Sequence, residues 1–267
     1  MTRIGRRFET LKEQGRKGFV AYITAGDPDL GATHKLVLEL DQQGVDVLEL
    51  GVPFSDPLAD GPVIQEASQR ALVAGATLEG VLAMVADLRS ETEIPIVLFT
   101  YYNPIHRYGL AQFVKRAAEV GVDGVLMLDL PPEEGREYKE LMDAQGIDTI
   151  FLMTPTTRDD RMSLIASHTE GFVYYVSRNG VTGERDSLAD EIHTKVSAIG
   201  EHTDLPVAVG FGISLPEQVS EVASYADAVV VGSAIVRRIG EYGQDADLVS
   251  KVGDFVGSLT APLREGA

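Results

Sequence analysis

Several features that would assign this chain to a functional class are missing from it. It contains no cysteine, which excludes disulfide bonds, thiolate nucleophiles and sulfur-ligated metals. No apolar run approaches the roughly 18 residues that a membrane-spanning helix needs, and the N-terminus lacks the apolar segment of a secretory signal. The sequence therefore predicts a cytoplasmic globular protein that is stabilised by packing alone.

Positive charge is also scarce, and no dense basic block is present. The 41 acidic residues outnumber the 23 basic ones and give a formal charge of −18. Such a surface repels phosphate backbones, so we expect no nucleic-acid partner. The five histidines show no metal-ligand spacing, and there is no dinucleotide fingerprint or Walker loop. We therefore expect neither a bound metal nor a nucleotide cofactor.

Short segments rich in Val, Ile and Leu alternate with amphipathic stretches of helical length. This alternation is typical of parallel strands joined by crossover helices. Eight such units in 267 residues favour a closed (β/α)8 TIM barrel over an open doubly wound sheet. The charged leader predicts an extra N-terminal helix, and because no linker divides the chain we expect one domain, 1–267. The predicted strands are 18–25, 45–50, 94–99, 122–129, 147–153, 171–176, 205–210 and 226–232.

Glycine-bearing turns follow each of the last three predicted strands, at 177–183, 210–214 and 232–236. Glycine lets backbone N–H groups approach a ligand closely, and the last turn opens a predicted helix whose N-terminus attracts anions. Any one of these glycines is more often a plain turn residue. Together they occupy the place of the common phosphate site of barrels. The candidate phosphate-binding residues are Gly183, Gly212, Gly232 and Ser233.

Two carboxylates stand out around the second predicted strand. Glu49 lies inside a segment otherwise made for burial, and Asp60 follows in a loop rich in proline and glycine. A buried, unpaired carboxylate is costly, so Glu49 should be paired, protonated part of the time, or catalytic. A barrel-interior ion pair remains an alternative for Glu49, and a turn or cap for Asp60. The position at the C-terminal rim of the barrel favours acid–base chemistry.

This region also carries a family resemblance. LELGVPFSDPLADGP, at 48–62, resembles the signature of the α subunits of tryptophan synthase. AYITAGDPD, FTYYNPI, GVDGVLMLDLPPEE, SRNGVTG, GFGISLPEQV and VVVGSAIV stand in the same family's order and spacing. The resemblance implies a carbon–carbon lyase that splits indole-3-glycerol phosphate into indole and glyceraldehyde 3-phosphate by retro-aldol cleavage. It implies general acid–base catalysis and no covalent intermediate.

The resemblance also implies roles for individual residues. Glu49 would handle protons at the substrate hydroxyl and at indole C3, while Asp60 would accept a hydrogen bond from the indole N–H. Tyr174 would help to place the substrate, although an ordinary core tyrosine is the alternative. Thr182 would close onto the catalytic aspartate when substrate binds. The residues that match the family's indole pocket are Tyr22, Phe99, Tyr101, Leu126, Leu152, Thr182 and Phe211.

A partner is implied in the same way. The family resemblance implies an α2β2 heterotetramer in which indole passes to a β subunit carrying pyridoxal phosphate, with no cofactor in this chain. The implied contacts are two loops, one with Pro53, Asp56 and Pro57 and the other with Asn103 and Pro104. Solvated loops with ordinary turn residues are the alternative.

Three rival functions remain open. The chain would act as a stand-alone indole-releasing lyase if it lacked a partner. It would serve only to bind and activate a β subunit if the barrel had little activity of its own, although the presence of both Glu49 and Asp60 speaks against this. A sugar-phosphate epimerase or isomerase is disfavoured because no histidine lies at a predicted strand end.

Overall fold

The computed structural model describes residues 1–177, 185–210 and 212–264, with the side chains of 185–190 excepted. Nine strands lie within these residues, and every strand pairing is parallel. The strands are β1 (Gly18–Thr24), β2 (Val47–Gly51), β3 (Ile96–Thr100), β4 (Gly124–Met127), β5 (Asp148–Ile150), β6 (Leu152–Met153), β7 (Val173–Val176), β8 (Val207–Gly210) and β9 (Ala228–Val231).

The strand order is β5-β4-β3-β2-β1-β9-β8-β7-β6. Its two ends, β5 and β6, are separated only by Phe151, so the ends of the sheet are one continuous segment and the sheet closes into a barrel. The predicted (β/α)8 barrel is therefore confirmed. The fifth predicted strand, 147–153, is corrected to two short strands, because β5 pairs with β4 while β6 pairs with β7.

Helices alternate with the strands and cover the outside of the barrel. Twelve α-helices fall within the described residues, and the predicted N-terminal helix is α1. They are α1 (Arg3–Glu13), α2 (Leu30–Gln42), α3 (Pro62–Val73), α4 (Leu78–Leu88), α5 (Tyr102–Tyr108), α6 (Leu110–Val120), α7 (Arg136–Gln145), α8 (Asp159–His168), α9 (Arg185–Gly200), α10 (Pro216–Ala223), α11 (Ser233–Tyr242) and α12 (Leu248–Arg264). A short 3₁₀ turn, Pro132–Glu134, precedes α7.

Side-chain alternation along the strands separates an inner from an outer core. Leu48 and Leu50 of β2 belong to the large outer cluster between sheet and helices. Val47, one residue out of phase with them, belongs to the cluster inside the barrel. Because successive strand residues point to opposite faces, Glu49 shares the inward face with Val47. The sequence thus places a carboxylate in a layer otherwise built from apolar side chains.

Helix α1 closes the N-terminal mouth of the barrel. Its apolar face, Ile4, Phe8 and Leu11, joins the inner cluster, and Thr2 caps its first turn by accepting a hydrogen bond from the Gly5 N–H. The Thr2 hydroxyl also donates to Asp148 Oδ2 at 2.6 Å. With this end covered, ligand access is left to the opposite, C-terminal end of the strands.

One finding bears on membrane insertion. Among the described residues, no single helix has the length and apolar character needed to cross a bilayer. The pair α3 and α4 meets that test only when taken together across a 91° bend.

Candidate active site

A cavity of about 500 Å³ opens at the C-terminal end of the strands. Its walls combine side chains from the ends of β1, β3, β6 and β7 with the loop before α3 and the turns before α10 and α11. A larger crevice of about 790 Å³ lies beside α1 at the other end, and its described lining contains none of the predicted site residues. The cavity lining is Tyr22, Ala59, Asp60, Gly61, Ile64, Phe99, Leu128, Leu152, Thr154, Tyr174, Val176, Ser177, Gly210, Gly212, Val230, Gly232 and Ser233.

Glu49 lies on the inner face of β2 and is paired in register with Tyr22, which lines this cavity, but Glu49 itself is not part of the lining. The side chain is 0% exposed, and neither carboxylate oxygen has a hydrogen-bond partner among the described residues. Burial raises the pKa of Glu49 from 4.5 to about 8. The interior ion pair that the sequence left open is absent from the described residues, because none of their ion pairs includes Glu49. At neutral pH this carboxyl group is mostly protonated and able to donate a proton.

Asp60 lies in the cavity wall, in the loop between β2 and α3. The Tyr101 hydroxyl donates to Asp60 Oδ2 at 2.9 Å and accepts from the Ala59 N–H at 3.0 Å. Partial burial raises the pKa of Asp60, while the Tyr101 hydrogen bond lowers it and favours the ionised form. Tyr101 thus holds the carboxyl group of Asp60 in place at the edge of the cavity.

Three of the candidate phosphate residues, Gly212, Gly232 and Ser233, line the same cavity as Asp60. Gly212 adopts φ +82°, a conformation that favours glycine. Gly232 is the N-cap of α11, and no side chain occupies the capping position. The N–H groups of Ile235 and Val236 donate to the Gly232 carbonyl. The first two N–H groups of α11, those of Ser233 and Ala234, are therefore the ones that can bind an anion. The fourth candidate, Gly183, lies outside the described residues.

Three aromatic rings that line the cavity lie next to one another. Tyr22 meets Phe99 edge to face, with ring centroids 5.1 Å apart, and Phe99 lies 6.5 Å from the ring of Tyr174. Burial raises the pKa of the Tyr174 hydroxyl, and the charge of nearby Glu49 adds to the effect. With Leu152, these rings give an apolar slot of the kind that a flat heteroaromatic ring needs.

Two pocket predictions need correction. Leu126 is fully buried in the inner cluster and does not line the cavity, whereas Leu128, two residues further along the same face, does. Tyr101 lies behind Asp60 rather than in the cavity wall. Thr182 and Phe211 lie outside the described residues. Ile64 and Thr154 also line the cavity but were not predicted. Thr154 directly follows the predicted strand 147–153, and Leu128 lies on the same face as Leu126, so strand alternation could have indicated both.

The predicted partner contacts divide by exposure. Asp56 and Asn103 are exposed and Pro57 and Pro104 are half-buried, whereas Pro53 is buried within this chain. The prediction of a loop at Asn103 and Pro104 is corrected, since both residues lie in the first turn of α5. Proline is tolerated there because first-turn N–H groups have no partner within the helix.

The described residues contain no group of three or more histidine, aspartate or glutamate side chains that is arranged to hold a metal ion.

Comparison with known proteins agrees with this geometry over the whole chain. The family model for the tryptophan synthase alpha chain matches residues 8–260. A tryptophan synthase alpha chain from Geobacter sp. (strain M21) is 51% identical over 267 residues, covering 100% of both chains. The chain belongs to the tryptophan synthase alpha chain family. Members of this family are lyases that cleave indole-3-glycerol phosphate to indole and glyceraldehyde 3-phosphate in tryptophan biosynthesis.

Solved structures of the tryptophan synthase alpha family share the fold. The subunit from Legionella pneumophila str. Paris superposes with a TM-score of 0.92 at 38% identity, covering 99% of each chain. A chain from the tryptophan synthase a2b2 complex of Pyrococcus furiosus has a TM-score of 0.86 at 40% identity, covering 92% of this chain and 99% of that one. At least one relative of similar fold therefore works within an a2b2 assembly.

Proposed function

We propose that this chain cleaves indole-3-glycerol phosphate with Glu49 and Asp60 as its working carboxylates. One observation supports this most strongly. Glu49 is fully buried and largely protonated at neutral pH, and Asp60 lines the same cavity as the anion-binding turns that contain Gly212, Gly232 and Ser233. The substrate has a phosphate at one end and an indole ring at the other. The cavity offers backbone N–H groups that can bind the phosphate and an apolar slot lined by aromatic rings that can bind the indole.

The chemistry divides between the two carboxylates. Glu49 donates its proton to indole C3, and as a carboxylate it takes one from the adjacent hydroxyl while the C–C bond breaks, so its protonation state is restored. Asp60 accepts a hydrogen bond from the indole N–H and stabilises the positive charge on the ring. Each such role typically contributes about 10² to 10⁴ in rate.

The remaining site residues position the substrate. Gly212, Gly232 and Ser233 hold the phosphate through backbone N–H groups and the helix dipole of α11. Tyr22, Phe99, Leu152 and Tyr174 enclose the ring. Gly183, Thr182 and Phe211 keep their sequence-based roles as proposals. We expect no cofactor in this chain and a cytoplasmic setting.

The partner is proposed to be a β subunit carrying pyridoxal phosphate, in an α2β2 heterotetramer. The exposed Asp56 and Asn103 lie on loops and turns at the same end of the strands as the cavity, which suits transfer of indole to a neighbour. Pro57 and Pro104 flank them. Because Pro53 is buried, we expect it to shape the loop rather than to touch the partner.

The test is an assay for indole with the purified chain alone and with a β subunit. We expect indole from the chain alone, a higher rate with the β subunit, and co-elution of the two in gel filtration. Indole release without co-elution would indicate a stand-alone lyase. Co-elution without indole release from the isolated chain would indicate an activator, and turnover of a sugar phosphate instead would favour an epimerase or isomerase.

A further inference from the structure

Two neighbouring helices carry the two ends of the cavity. Asp60 lies just before α3, and its backbone carbonyl accepts a hydrogen bond from Gln65 Nε2, in the first turn of that helix, at 2.9 Å. Asp60 is therefore tied to α3. The backbone N–H groups proposed to bind phosphate belong to Ser233 and Ala234, the first two residues of α11. The placement of α3 relative to α11 thus sets the distance between the Asp60 carboxylate and the phosphate site.

The ends of these helices nearest the cavity are joined by apolar packing. Ile64 and Ala67 of α3 form one buried cluster with Val236 of α11 and with Tyr22. Apolar packing is not directional, so it holds the helices together without fixing how they are turned about each other. A directional contact further along the helices is needed for that.

Arg70 supplies such a contact near the other end of α3. Its Nε donates to Asp27 Oδ1 and its Nη2 to Asp27 Oδ2, both at 2.8 Å, and Asp27 is only 2% exposed. Asp27 follows β1 and so belongs to the frame of the barrel. A two-pronged bond between a guanidinium and a carboxylate fixes orientation as well as distance. Arg70 lies nearly two turns beyond Ile64, about 9 Å along the helix axis.

The same guanidinium also lies against α11. A Cβ atom at Gly240 would lie 2.8 Å from Arg70 Nη2 and 3.1 Å from Arg70 Cζ. Arg70 therefore occupies the space that a side chain at Gly240 would need. Pro28, next to Asp27, reaches the C-terminal end of α11, since a Cβ atom at Gly243 would lie 3.6 Å from Pro28 Cβ. Arg70 and the segment after β1 thus contact both helices at their ends away from the cavity.

We infer that Arg70, held by Asp27, is a positioning residue that sets the span between the Asp60 carboxylate and the phosphate site, and so the length of substrate that the cavity accepts. The inference rests on the function proposed above, in which one substrate must reach both places at once. A misplacement of about 1 Å between reacting groups can cost about 100-fold in rate. Contact of one side chain with both helices and with the barrel keeps such an error small.

The test compares ligands that occupy one end of the cavity with a ligand that occupies both. Inorganic phosphate needs only the start of α11 and indole needs only the aromatic slot, whereas indole-3-glycerol phosphate needs both at the correct separation. Dissociation constants are measured by NMR titration in the parent and in Arg70→Gln. Every protein in this titration also carries Glu49→Gln, so that bound substrate is not turned over.

Arg89→Gln is the matched control. Arg89 Nη2 lies 2.7 Å from Asp123 Oδ2, and Asp123 is 4% exposed, so this is also an arginine paired with a buried aspartate. Asp123 directly precedes β4, at the end of the barrel opposite the cavity. The control therefore removes a similar ion pair without touching α3 or α11.

Arg70→Gln should weaken the binding of indole-3-glycerol phosphate about tenfold, while the dissociation constants for phosphate and for indole change less than about twofold. With Glu49 intact, kcat/KM for indole release should fall at least about tenfold. Arg70→Lys should recover part of this loss, because it restores the charge but not the two-pronged geometry. Arg89→Gln should leave all of these values within about twofold of the parent.

The inference is overturned if Arg70→Gln weakens all three ligands equally, if it weakens none, or if Arg89→Gln gives the same pattern. Should Arg70→Gln not fold, Arg70→Lys takes its place with the same outcomes. A parent that binds the ligands but releases no indole would refute only the proposed reaction.

A parent that binds none of the three ligands would refute the proposed function as a whole. Crystal structures of the parent and the Arg70 variant then test the inference separately. The separation of Asp60 Cγ from the Ser233 nitrogen should differ between them by about 1 Å or more, and an unchanged separation would overturn the inference.

Discussion

Replacing Glu49 by glutamine should stabilise the protein while disabling it, and the gain should depend on pH in a defined way. Burial raises the pKa of Glu49 from 4.5 to about 8. A carboxyl group whose pKa is higher in the folded than in the unfolded state binds protons more tightly when folded. The parent therefore loses stability as pH rises from 4.5 towards 8, and the loss is complete above pH 8.

The magnitude follows from the width of that window. Each pH unit between the two pKa values is worth about 1.4 kcal/mol, so by pH 7 the parent has lost up to about 3 kcal/mol through this group. Glutamine has nearly the same shape as glutamic acid, and burying its neutral amide costs about as much as burying the protonated acid, but glutamine cannot ionise. The stability difference between variant and parent should therefore grow by about 1.4 kcal/mol per pH unit.

Urea unfolding of parent and Glu49→Gln from pH 5 to pH 9 measures this difference, and other titrating groups cancel in the comparison. The free energy of unfolding should be larger for the variant than for the parent. The difference should grow with pH up to about pH 8 and stay constant above it. A difference that stays flat from pH 5 to pH 9 would refute the reasoning, because Glu49 would then ionise equally easily in both states.

Two further predictions concern other carboxylates. Tyr101→Phe removes the donor to Asp60 Oδ2, so the pKa of Asp60 should rise. The loss of kcat/KM relative to the parent should then be about tenfold larger at pH 6 than at pH 8, and equal losses at both pH values would contradict this. Burial raises the pKa of Asp148 from 3.8 to about 6, so Asp148→Asn should add about 1 to 2 kcal/mol to the free energy of unfolding at pH 7 and almost nothing at pH 4. Thermal or urea unfolding at the two pH values checks the second, and a gain of the same size at pH 4 would count against it.

Much of the fold was predictable because the pattern of apolar segments is repeated so often. Eight strand-like runs favoured a barrel over an open sheet, and parallel closure then placed the C-terminal ends of all strands at one rim. The break in the fifth strand at Phe151 was not predictable, because it depends on which neighbour each half pairs with. The short helix at Asn103 and Pro104 was also missed, since a proline in the first turn resembles a loop signal.

The site was predictable in kind but not in depth. A glutamate in an apolar strand indicated a functional carboxylate, yet nothing in the sequence indicates that Glu49 is fully buried and does not line the cavity. The same difference in depth applies to β4, where Leu126 is buried in the inner cluster and Leu128, two residues further along the same face, lines the cavity. Layer depth depends on strand stagger around the barrel, which only the three-dimensional closure determines.

The position of the Tyr22 hydroxyl illustrates the same limit. The ring was predicted to lie in the pocket, but its hydroxyl reaches β2 only because Gly51 has no Cβ there. That relationship joins residues on two strands through a side-chain direction, and no local pattern encodes it.

The rate of indole release from indole-3-glycerol phosphate by Glu49→Gln and Asp60→Asn, beside the parent, tests the central claim most directly. Each variant should remain folded and lose at least about a hundredfold in kcat. Near-parental turnover in either folded variant would contradict the role assigned to that carboxylate.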